Sequence, residues 1–563
     1  MGKHHFRFGV DREDLKSQDS VFYTGGSIYR FTPGYIRARS YINTGSFVSK
    51  QQAYYAQDSW DLFNNRLNLQ LGIRNDGYEN FSITGKKFID QKNQWAPRLG
   101  ASFDVFGDKK TKISAFFGRY YLGVPTNTNI RLGGAETFYE QRFRYLPGVS
   151  GASFDSEGIP IGQQFDSTGA PLFGATTASS TRPCPPIGPG AGELCRTIFS
   201  DGTPGPTDTL VAAGLKPMFQ DEKILSITHR MNDWTFGLRY INRRLKTTIE
   251  DFAVDAAVNA YCDRTGIAGC ADTFSGFHQY VLGNPGSDTT VRLDGDCVAD
   301  PRMCAVVTLK AADLGLPKAT RKYDAVEFTV NKAFNGLYAF DLSYTLQRAR
   351  GNYEGSVKSD NNQADAGLTQ DFDQPGLVDG ANGILANERK HTLKFQGSIK
   401  PMPWLTIGTN ITVQSGRNFS CIGVYPDARN FAAAYSSASF YCSQPSVASG
   451  RTAVPQLDDN GDPVLNSAGV PQVSYLVNRG TAFHAPWSKN IDLGAHINLP
   501  GALHNSTISL DVFNVLNSKA KVDFVEFGEN DDGSLRKDYG FVTGFQAPRA
   551  ARLTWALRFG GRR

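Results

Sequence analysis

The sequence lacks any run of about 18 consecutive apolar residues, the length that a helix needs to cross a bilayer. Its mean hydropathy is only −0.34. Together these features exclude a transmembrane helix. They leave a membrane β-barrel open, because every second residue of a barrel strand faces the polar lumen, so that the hydropathy of each strand averages to a modest value.

Methionine is scarce, with 5 residues in 563, whereas the chain has 38 Phe, 23 Tyr and 58 Gly. This composition favours strands and turns over helices. The net charge of +5 is small and spread along the chain, so the basic stripe of a nucleic-acid-binding protein is lacking. We therefore expect an all-β protein without a nucleic-acid partner.

Catalytic and metal-binding motifs are also lacking. The eight His residues are scattered, and the adjacent pair His4 and His5 would point to opposite faces of a strand. The acidic stretches Asp458–Asp462 and Glu529–Gly533 lack the twelve-residue frame of a calcium loop and are typical of solvated turns. We predict no enzyme activity, no cofactor and no metal site.

The first residues, MGKHHFRFGVDRED, contain neither the apolar segment nor the small-residue cleavage site of a secretory signal. They continue directly into a strand-like alternation. We therefore expect either a mature or truncated chain, or an export signal in residues outside this sequence.

Alternation of apolar and polar residues is the strongest signal present, and it is clearest between Tyr54 and Tyr78. Every second residue from Leu67 to Ile73 is apolar, which predicts a strand, and the polar turn Asn64–Arg66 joins it to the preceding one as a hairpin. Similar alternation predicts about 14 strands, at residues 3–13, 47–62, 67–79, 95–106, 111–122, 221–231, 234–249, 321–333, 337–351, 389–400, 404–416, 486–499, 505–516 and 549–559.

The connections between these strands alternate between two sizes. Turns of a few residues lie at one end of the predicted sheet. Long loops lie at the other, at about 123–220, 250–320, 352–388, 417–485 and 517–548. An outer-membrane barrel has short periplasmic turns and long extracellular loops, so we predict an antiparallel transmembrane β-barrel whose strands face lipid.

The barrel interpretation assigns a direction to individual side chains. Apolar and aromatic residues of one face are predicted to contact lipid or to form the interfacial girdles; they are Trp60, Leu67, Leu69, Leu71, Ile73, Trp234, Phe236, Trp404, Trp555 and Phe559. Polar residues of the other face are predicted to face the lumen, where they either hydrate the interior, contact a plug or line a transport path; they are Arg74, Asp104, Arg239, Glu327, Asp341, Asp492 and Arg558.

All eight cysteines lie in predicted long loops, which favours local disulfides formed in an oxidising compartment. Cys184 and Cys195 share one loop, and Cys421 and Cys442 share another. Four more share the loop 250–320 and allow three connectivities, of which nearest-neighbour pairing is our hypothesis; they are Cys262, Cys270, Cys297 and Cys304. A zinc site is less favoured, because no CxxC or HxxxH spacing lies near them.

Several segments closely resemble the barrel of TonB-dependent outer-membrane receptors of the Oar-like type. They are the QDSW strand at Gln57–Trp60, the return strand Arg66–Arg74, the APRLGASFD hairpin segment Ala96–Asp104, and the last two strands ISLDVFNVLN and RLTWALRFG. The resemblance covers most predicted strands, while the long loops show no recognisable motif.

The resemblance implies a barrel of about 22 strands with a plug domain inside. Residues 1–563 contain about 14 predicted strands and no plug or TonB box, so we expect them to be the C-terminal part of such a barrel domain and not to carry out energised uptake alone. Hydrogen bonding of residues 3–13 with 549–559 would instead indicate a complete small barrel.

The implied function is that of an outer-membrane receptor and transporter that binds a large, unidentified ligand at its extracellular loops. Implied partners are outer-membrane lipid and lipopolysaccharide, the barrel-assembly machinery and, through an N-terminal part, the TonB energy-coupling complex. Two alternatives remain open: a passive channel of about 14 strands, and a surface adhesion or assembly protein that acts through its loops. The expected location is the outer membrane of a Gram-negative-type bacterium.

Overall fold

The computed structural model describes residues 3–32, 34–155, 158–174, 195–363, 369–500 and 505–558. The first strands, in chain order, are β1 (Lys3–Phe22), β2 (Ile28–Thr32), β3 (Tyr35–Leu62), β4 (Leu67–Phe81), β5 (Lys87–Asp104), β6 (Thr111–Leu122), β7 (Thr137–Phe143), β8 (Cys195–Asp201), β9 (Met218–Met231), β10 (Trp234–Thr247), β11 (Glu250–Ala253), β12 (Tyr280–Gly283), β13 (Thr289–Arg292), β14 (Val306–Leu309) and β15 (Arg321–Lys332). The others are β16 (Tyr338–Gly351), β17 (Gly383–Ile384), β18 (His391–Met402), β19 (Leu405–Gln414), β20 (Asn418–Phe419), β21 (Tyr441–Cys442), β22 (Ala453–Pro455), β23 (Val473–Leu476), β24 (Phe483–His484), β25 (Ser488–Asn498), β26 (Ser506–Phe513), β27 (Lys521–Phe524), β28 (Val542–Phe545) and β29 (Ala550–Leu557).

Helices are few and short. The α-helices of the described residues are α1 (Thr126–Gly133), α2 (Thr207–Leu210), α3 (Asp255–Thr265), α4 (Cys270–Thr273) and α5 (Ala311–Leu314). Single 3-10 turns lie at Pro301–Cys304, Ser359–Asn361, Gln370–Phe372, Ala433–Tyr435 and Pro445–Val447. Within the described residues, no helix has the length and apolar character needed to span a membrane.

One large antiparallel sheet dominates the fold. Across the described residues, fourteen long strands follow one another in the order β1, β3, β4, β5, β6, β9, β10, β15, β16, β18, β19, β25, β26, β29. These are the strands that alternation predicted, so the all-β antiparallel prediction is confirmed. β1 and β29 form the two edges, and no ladder in the described part of the chain joins them.

Tight turns lie at one end of this sheet. Between β3 and β4, for example, Phe63, Asn64 and Asn65 take φ values of 50°, 55° and 65°. Asn is among the few residues that accept this left-handed conformation at small cost, which explains the polar turn sequence. The long connections lie at the opposite end, as predicted.

The first hairpin is longer than the sequence indicated. β1 was expected to end near residue 13 and β3 to begin near residue 47, but their ladder continues to Phe22 and Ile42. The prediction was wrong because the residues from Asp11 to Asp19, apart from Leu15, are polar on both faces. Backbone pairing needs no apolar face, so this part of the hairpin carries no alternation signal.

Candidate functional site

The two faces of the sheet differ in polarity, and strand register shows which residues share a face. Leu71 lies opposite Asp58 on β3 and Leu99 on β5, and Leu225 on β9 lies opposite Ala115 and Tyr240. Large apolar side chains on this face are open to the surroundings; Leu71 is 43% exposed and Trp555 66% exposed. We call it the apolar face, and the opposite one the polar face.

Every described residue that was predicted to contact lipid lies on the apolar face or at its margins. Ile73, Trp404 and Trp555 are exposed, whereas Trp60, Leu67, Leu69, Trp234 and Phe236 are half-buried among neighbouring side chains. Trp234 stacks on Phe236 with ring centroids 6.2 Å apart. Phe559 lies outside the described residues.

A polar pair on the apolar face was not predicted from the sequence. His4 Nδ1 lies 2.7 Å from Asp58 Oδ2, and the His4 ring stacks on Trp60 with centroids 4.9 Å apart. His5 is on the other face, 4.0 Å from Asp61. Adjacent residues thus point to opposite faces, as strand geometry requires.

Most of the predicted lumen residues of the polar face form ion pairs or hydrogen bonds with neighbouring polar groups. Arg74 donates to Asp76 at 2.7 Å and to Asp11 at 3.3 Å. Arg239 pairs with Glu327 on the neighbouring strand. The Asp341 carboxylate accepts a hydrogen bond from Asn331, and the Asp492 carboxylate accepts one from the Asn514 amide at 2.8 Å.

Two of these residues have other surroundings. The Asp104 carboxylate accepts hydrogen bonds from the backbone of Gly107 at 3.1 Å and Lys109 at 2.8 Å, so it closes the β5–β6 turn. The Arg558 side chain is exposed at the end of β29, and its backbone N donates to Asn505 O at 3.0 Å.

At the loop end, α1 lies against the polar face of β3 and β4. Asn80 donates to Val124 O at 3.0 Å and to Asn129 Oδ1 at 2.6 Å, and Asn43 donates to Ile130 O at 2.8 Å. Below this contact is a cavity of about 130 Å³ lined by polar groups; its lining includes Asp11, Glu13, Gln51, Gln52, Arg74 and Tyr78. The first long loop therefore covers part of the polar face.

The other long loops pack into one body, the loop lobe, made of the described residues within 250–320, 352–388, 417–485 and 517–548. Its largest apolar cluster surrounds Phe252, Phe274 and Tyr353, each at most 1% exposed. The lobe contains short helices and small sheets that the sequence did not indicate. Its apolar residues form no periodic pattern in the sequence, which is why this core was missed.

Disulfides lie inside the loop lobe. Cys262 is bonded to Cys270, Cys297 to Cys304 and Cys421 to Cys442. Cys195, which lies in the first long loop and not in the lobe, is disulfide-bonded as well, and Cys184 lies outside the described residues.

A buried ion network joins three loops of the lobe; its members are Lys358, Asp360, Asp371, Arg417, Arg479 and Glu526. Arg479 is fully buried, pairing with Asp371 and donating to Asp360 at 2.7 Å. Lys358 Nζ lies 2.9 Å from Asp371 and donates to Ala438 O at 2.8 Å. Because each buried charge has an opposite partner, the network fixes the relative positions of the loops.

Burial and charge shift the pKa values of carboxyl groups in the lobe. Burial raises the pKa of Glu250 well above 4.5, and the neighbouring Asp251 adds to the rise. Burial opposes ionisation of Asp371 too, but Arg479 and Lys358 outweigh it and hold the Asp371 pKa below its ordinary value. The lobe therefore contains both a carboxyl that favours its proton and one that favours its charge.

A seven-residue turn occurs five times among the described loop residues, and we call it the turn module. Each copy begins at a residue bridged to the residue six positions later; the copies are 154–160, 165–171, 457–463, 465–471 and 529–535. Residues 156 and 157 of the first copy lie outside the described residues. In the fourth copy Asn466 Oδ1 accepts from the amides of Ala468 and Val470, at 2.9 and 3.0 Å, and Gly469 has φ 75°. Comparing the sequence with itself would have revealed this module, because Asp or Asn precedes Gly by three residues in every copy.

Comparisons with known proteins agree with this architecture. Residues 2–179 match the family model described as TonB dependent receptor-like, beta-barrel. The sequence is 26% identical over 423 residues to the TonB-dependent transporter Oar of Myxococcus xanthus, covering 71% of this chain and 34% of that protein.

Solved structures with similar coordinates include the outer membrane transporter YddB of Escherichia coli (TM-score 0.42, 12% identity, 99% of this chain and 55% of that chain). Another is the ferripyoverdine receptor of Pseudomonas aeruginosa (TM-score 0.40, 10% identity, 98% of this chain and 49% of that chain). The chain thus spans about a third of the curated relative and about half of these solved chains. The sequence resemblance is confirmed: this chain is similar to the TonB-dependent transporter Oar, and its residues 2–179 match the β-barrel of TonB-dependent receptors.

Proposed function

We propose that this chain is the barrel part of an outer-membrane receptor that captures a large ligand at the loop lobe and provides its passage along the polar face. The observation that carries the proposal is the sheet itself, which separates an apolar and a polar face across fourteen described strands and bears a packed lobe at one end only. The same features support residues 1–563 as one barrel domain in contact with lipid.

Capture at the lobe is supported by the buried ion pairs and disulfides that connect its segments. A surface pre-organised by buried ion pairs and disulfides loses little conformational entropy on binding, which favours affinity. The lobe also exposes apolar side chains at its surface, among them Phe541 at 63% and Val470 at 55% exposure. A ligand that covers several turn modules would be large, in line with the size of the lobe.

Passage along the polar face is supported by its chemistry. Arg74, Arg239 and their carboxylate partners present both signs of charge, so the face is hydrated without attracting only one class of ion. Energy coupling would come from the TonB complex, acting on a part of the receptor other than these strands. Lipopolysaccharide is a proposed partner of the apolar face. The barrel-assembly machinery is a proposed partner of the chain while it folds.

Labelling of single cysteines tests the orientation. We expect a membrane-impermeant maleimide to label Ser467→Cys, in an exposed turn module, on intact cells. Lys110→Cys, in the β5–β6 turn, should react only after the outer membrane is opened. Equal labelling of both positions on intact cells would contradict the proposed topology.

Capture can be tested without knowing the ligand. The purified chain would be incubated with spent medium of the producing bacterium and examined by native mass spectrometry. We expect an adduct that is lost when residues 458–470 are replaced by a Gly-Ser linker and retained when the turn 334–336 is replaced. An adduct that survives the first change would place the capture site elsewhere.

A further inference from the structure

Two rows of charged side chains cross the apolar face at its loop end. In the first row Asp221 on β9 lies opposite Arg119 and Arg244, and Lys322 on β15 lies opposite Arg244 and Arg350. In the second row, two residues closer to the turns, Lys223 (β9), Asn242 (β10), Asp324 (β15) and Arg348 (β16) lie side by side. Directly opposite residues share a face, so all these side chains point outward.

The next row towards the turns is apolar; it contains Leu225, Tyr240, Val326 and Leu346. These four side chains are between 41% and 58% exposed. Two residues of strand separate successive rows, which is about 7 Å. The charged rows therefore border the apolar surface directly.

Six cations and two carboxylates occupy the two rows, and the carboxylates already have partners. Asp221 pairs with Arg119 at 2.8 Å, and Asp324 accepts hydrogen bonds from Arg244 at 2.7 and 2.8 Å. Asn242 also donates to Asp324 at 2.7 Å. The carboxylates are thus engaged by neighbours within the sheet.

Four cations remain: Lys223, Lys322, Arg348 and Arg350, all exposed. Among the described residues, no carboxylate lies within ion-pair distance of their side chains. They span β9, β15 and β16, and Lys322 and Arg350 are direct cross-strand neighbours. Like charges placed together destabilise a sheet unless an anion lies between them.

We propose that this cationic belt, formed by Lys223, Lys322, Arg348 and Arg350, binds the phosphate groups of a phosphorylated lipid of the outer leaflet. Arg guanidinium groups bind phosphate through paired hydrogen bonds, and Lys adds a mobile positive charge. The apolar row next to the belt, on the side of the turns, contacts the acyl chains of the lipid. A free phosphate ion would make no use of that row. The inference rests on the proposed lipid contact of the apolar face.

Binding of diphosphoryl lipid A in detergent micelles tests this site. The full chain would be titrated with fluorescently labelled diphosphoryl lipid A and, separately, with its dephosphorylated form. We expect the variant K223Q/K322Q/R348Q/R350Q to bind the phosphorylated lipid at least tenfold more weakly than the unchanged protein, with little difference between them for the dephosphorylated lipid. A change in gel mobility on heating would show that the variant is folded before heating. The variant R348Q/R350Q provides a milder second test.

A matched control removes four exposed cations from loops and a loop-end turn: K86Q/K519Q/K521Q/K537Q. This variant should bind diphosphoryl lipid A within threefold of the unchanged protein. An equal loss in the control, or equally tight binding of dephosphorylated lipid A by the unchanged protein, would overturn the proposal. Displacement of the lipid by millimolar inorganic phosphate would also overturn it, because the site would then be one for free phosphate.

The micelle assay does not depend on ligand capture or on orientation in cells. If lipid binding fails while the cysteine labelling is as expected, the proposed lipid site at the cationic belt is wrong and the proposed receptor function still stands. If the lipid binds as expected but the labelling pattern is wrong, only the proposed orientation of the receptor in the membrane is contradicted.

Discussion

The guanidinium group of Arg479 and the carboxylate of Asp371 form an ion pair from which solvent is fully excluded. The two residues belong to different loops and are 108 positions apart in the sequence. Asp360 and Lys358 complete the charge balance around them. The pair therefore holds these two loops of the lobe together.

We expect Arg479→Met to loosen the lobe while the sheet persists. Removing one partner of a buried ion pair leaves the other charge unpaired, which costs about 3–5 kcal/mol. Limited proteolysis should then cleave the loops 352–388 and 417–485 much faster. Arg429→Met serves as a control, because Arg429 pairs with Asp427 at the surface and such pairs contribute about 0–1 kcal/mol. Equal protease resistance of Arg479→Met and the unchanged protein would show that the network is dispensable.

The pH dependence of the lobe should reflect Glu250. Its folded pKa lies above the ordinary 4.5, chiefly because of burial, so the protonated form is favoured in the folded state. The stability that this proton contributes is fully present below about pH 4.5 and is lost as the pH rises through the folded pKa. Glu250→Gln should therefore stabilise the lobe at about pH 8 and make little difference at about pH 4.5.

Hydrogen exchange of the lobe amides at the two pH values measures this effect, after correction for intrinsic exchange rates. Asp459→Asn, at an exposed turn position, should change the protection of the lobe at neither pH. Destabilisation by Glu250→Gln at the higher pH would mean that the buried carboxylate is needed in its charged form.

Gly528 should not tolerate a side chain. A Cβ at this position would lie 2.5 Å from both sulfurs of the Cys421–Cys442 disulfide, and these sulfurs cannot move away easily. We expect Gly528→Ala to cost about 1–3 kcal/mol through overpacking. Protease sensitivity of residues 417–450 provides the measurement. Gly408→Ala is the control, since the nearest atom would be 3.8 Å away.

The turn module should depend on its glycine for conformational reasons alone. Gly469 has φ 75°, and no atom lies within 4 Å of the point that a Cβ would occupy, so Gly469→Ala would introduce backbone strain without a clash. We expect a local cost of about 1–2 kcal/mol. Faster exchange of the Val470 amide, which donates to Asn466, would report it. Ala468→Ser should leave that exchange rate unchanged, and no effect of Gly469→Ala would show that the turn is held by other contacts.

The sequence was most informative where one periodic signal determines structure. Alternation from Leu67 to Ile73 located β4 because a strand with one apolar face must repeat every two residues. The same rule failed between Asp11 and Asp19, where both faces of β1 are mainly polar. Alternation thus predicted the existence of the sheet and most strand bounds, but not the length of the first hairpin.

The loop lobe could not be predicted in the same way. Lys358, Arg479 and Glu526 are separated by long stretches of sequence, and nothing in their neighbours indicates that they meet. Their pairing depends on the sheet, which brings the loops together at one end. The cationic belt was missed for a related reason, because Lys223 and Arg348 become members of one row only through the strand register.

The buried ion network also constrains the order of folding. Arg417 and Glu526 are 109 residues apart, and closing so long a segment is entropically costly before the intervening strands have paired. Neighbouring hairpins such as β18 with β19 involve only local contacts and can form early. The network is thus expected to form last, so that exclusion of water from Arg479 signals that the strands beneath it are already in place.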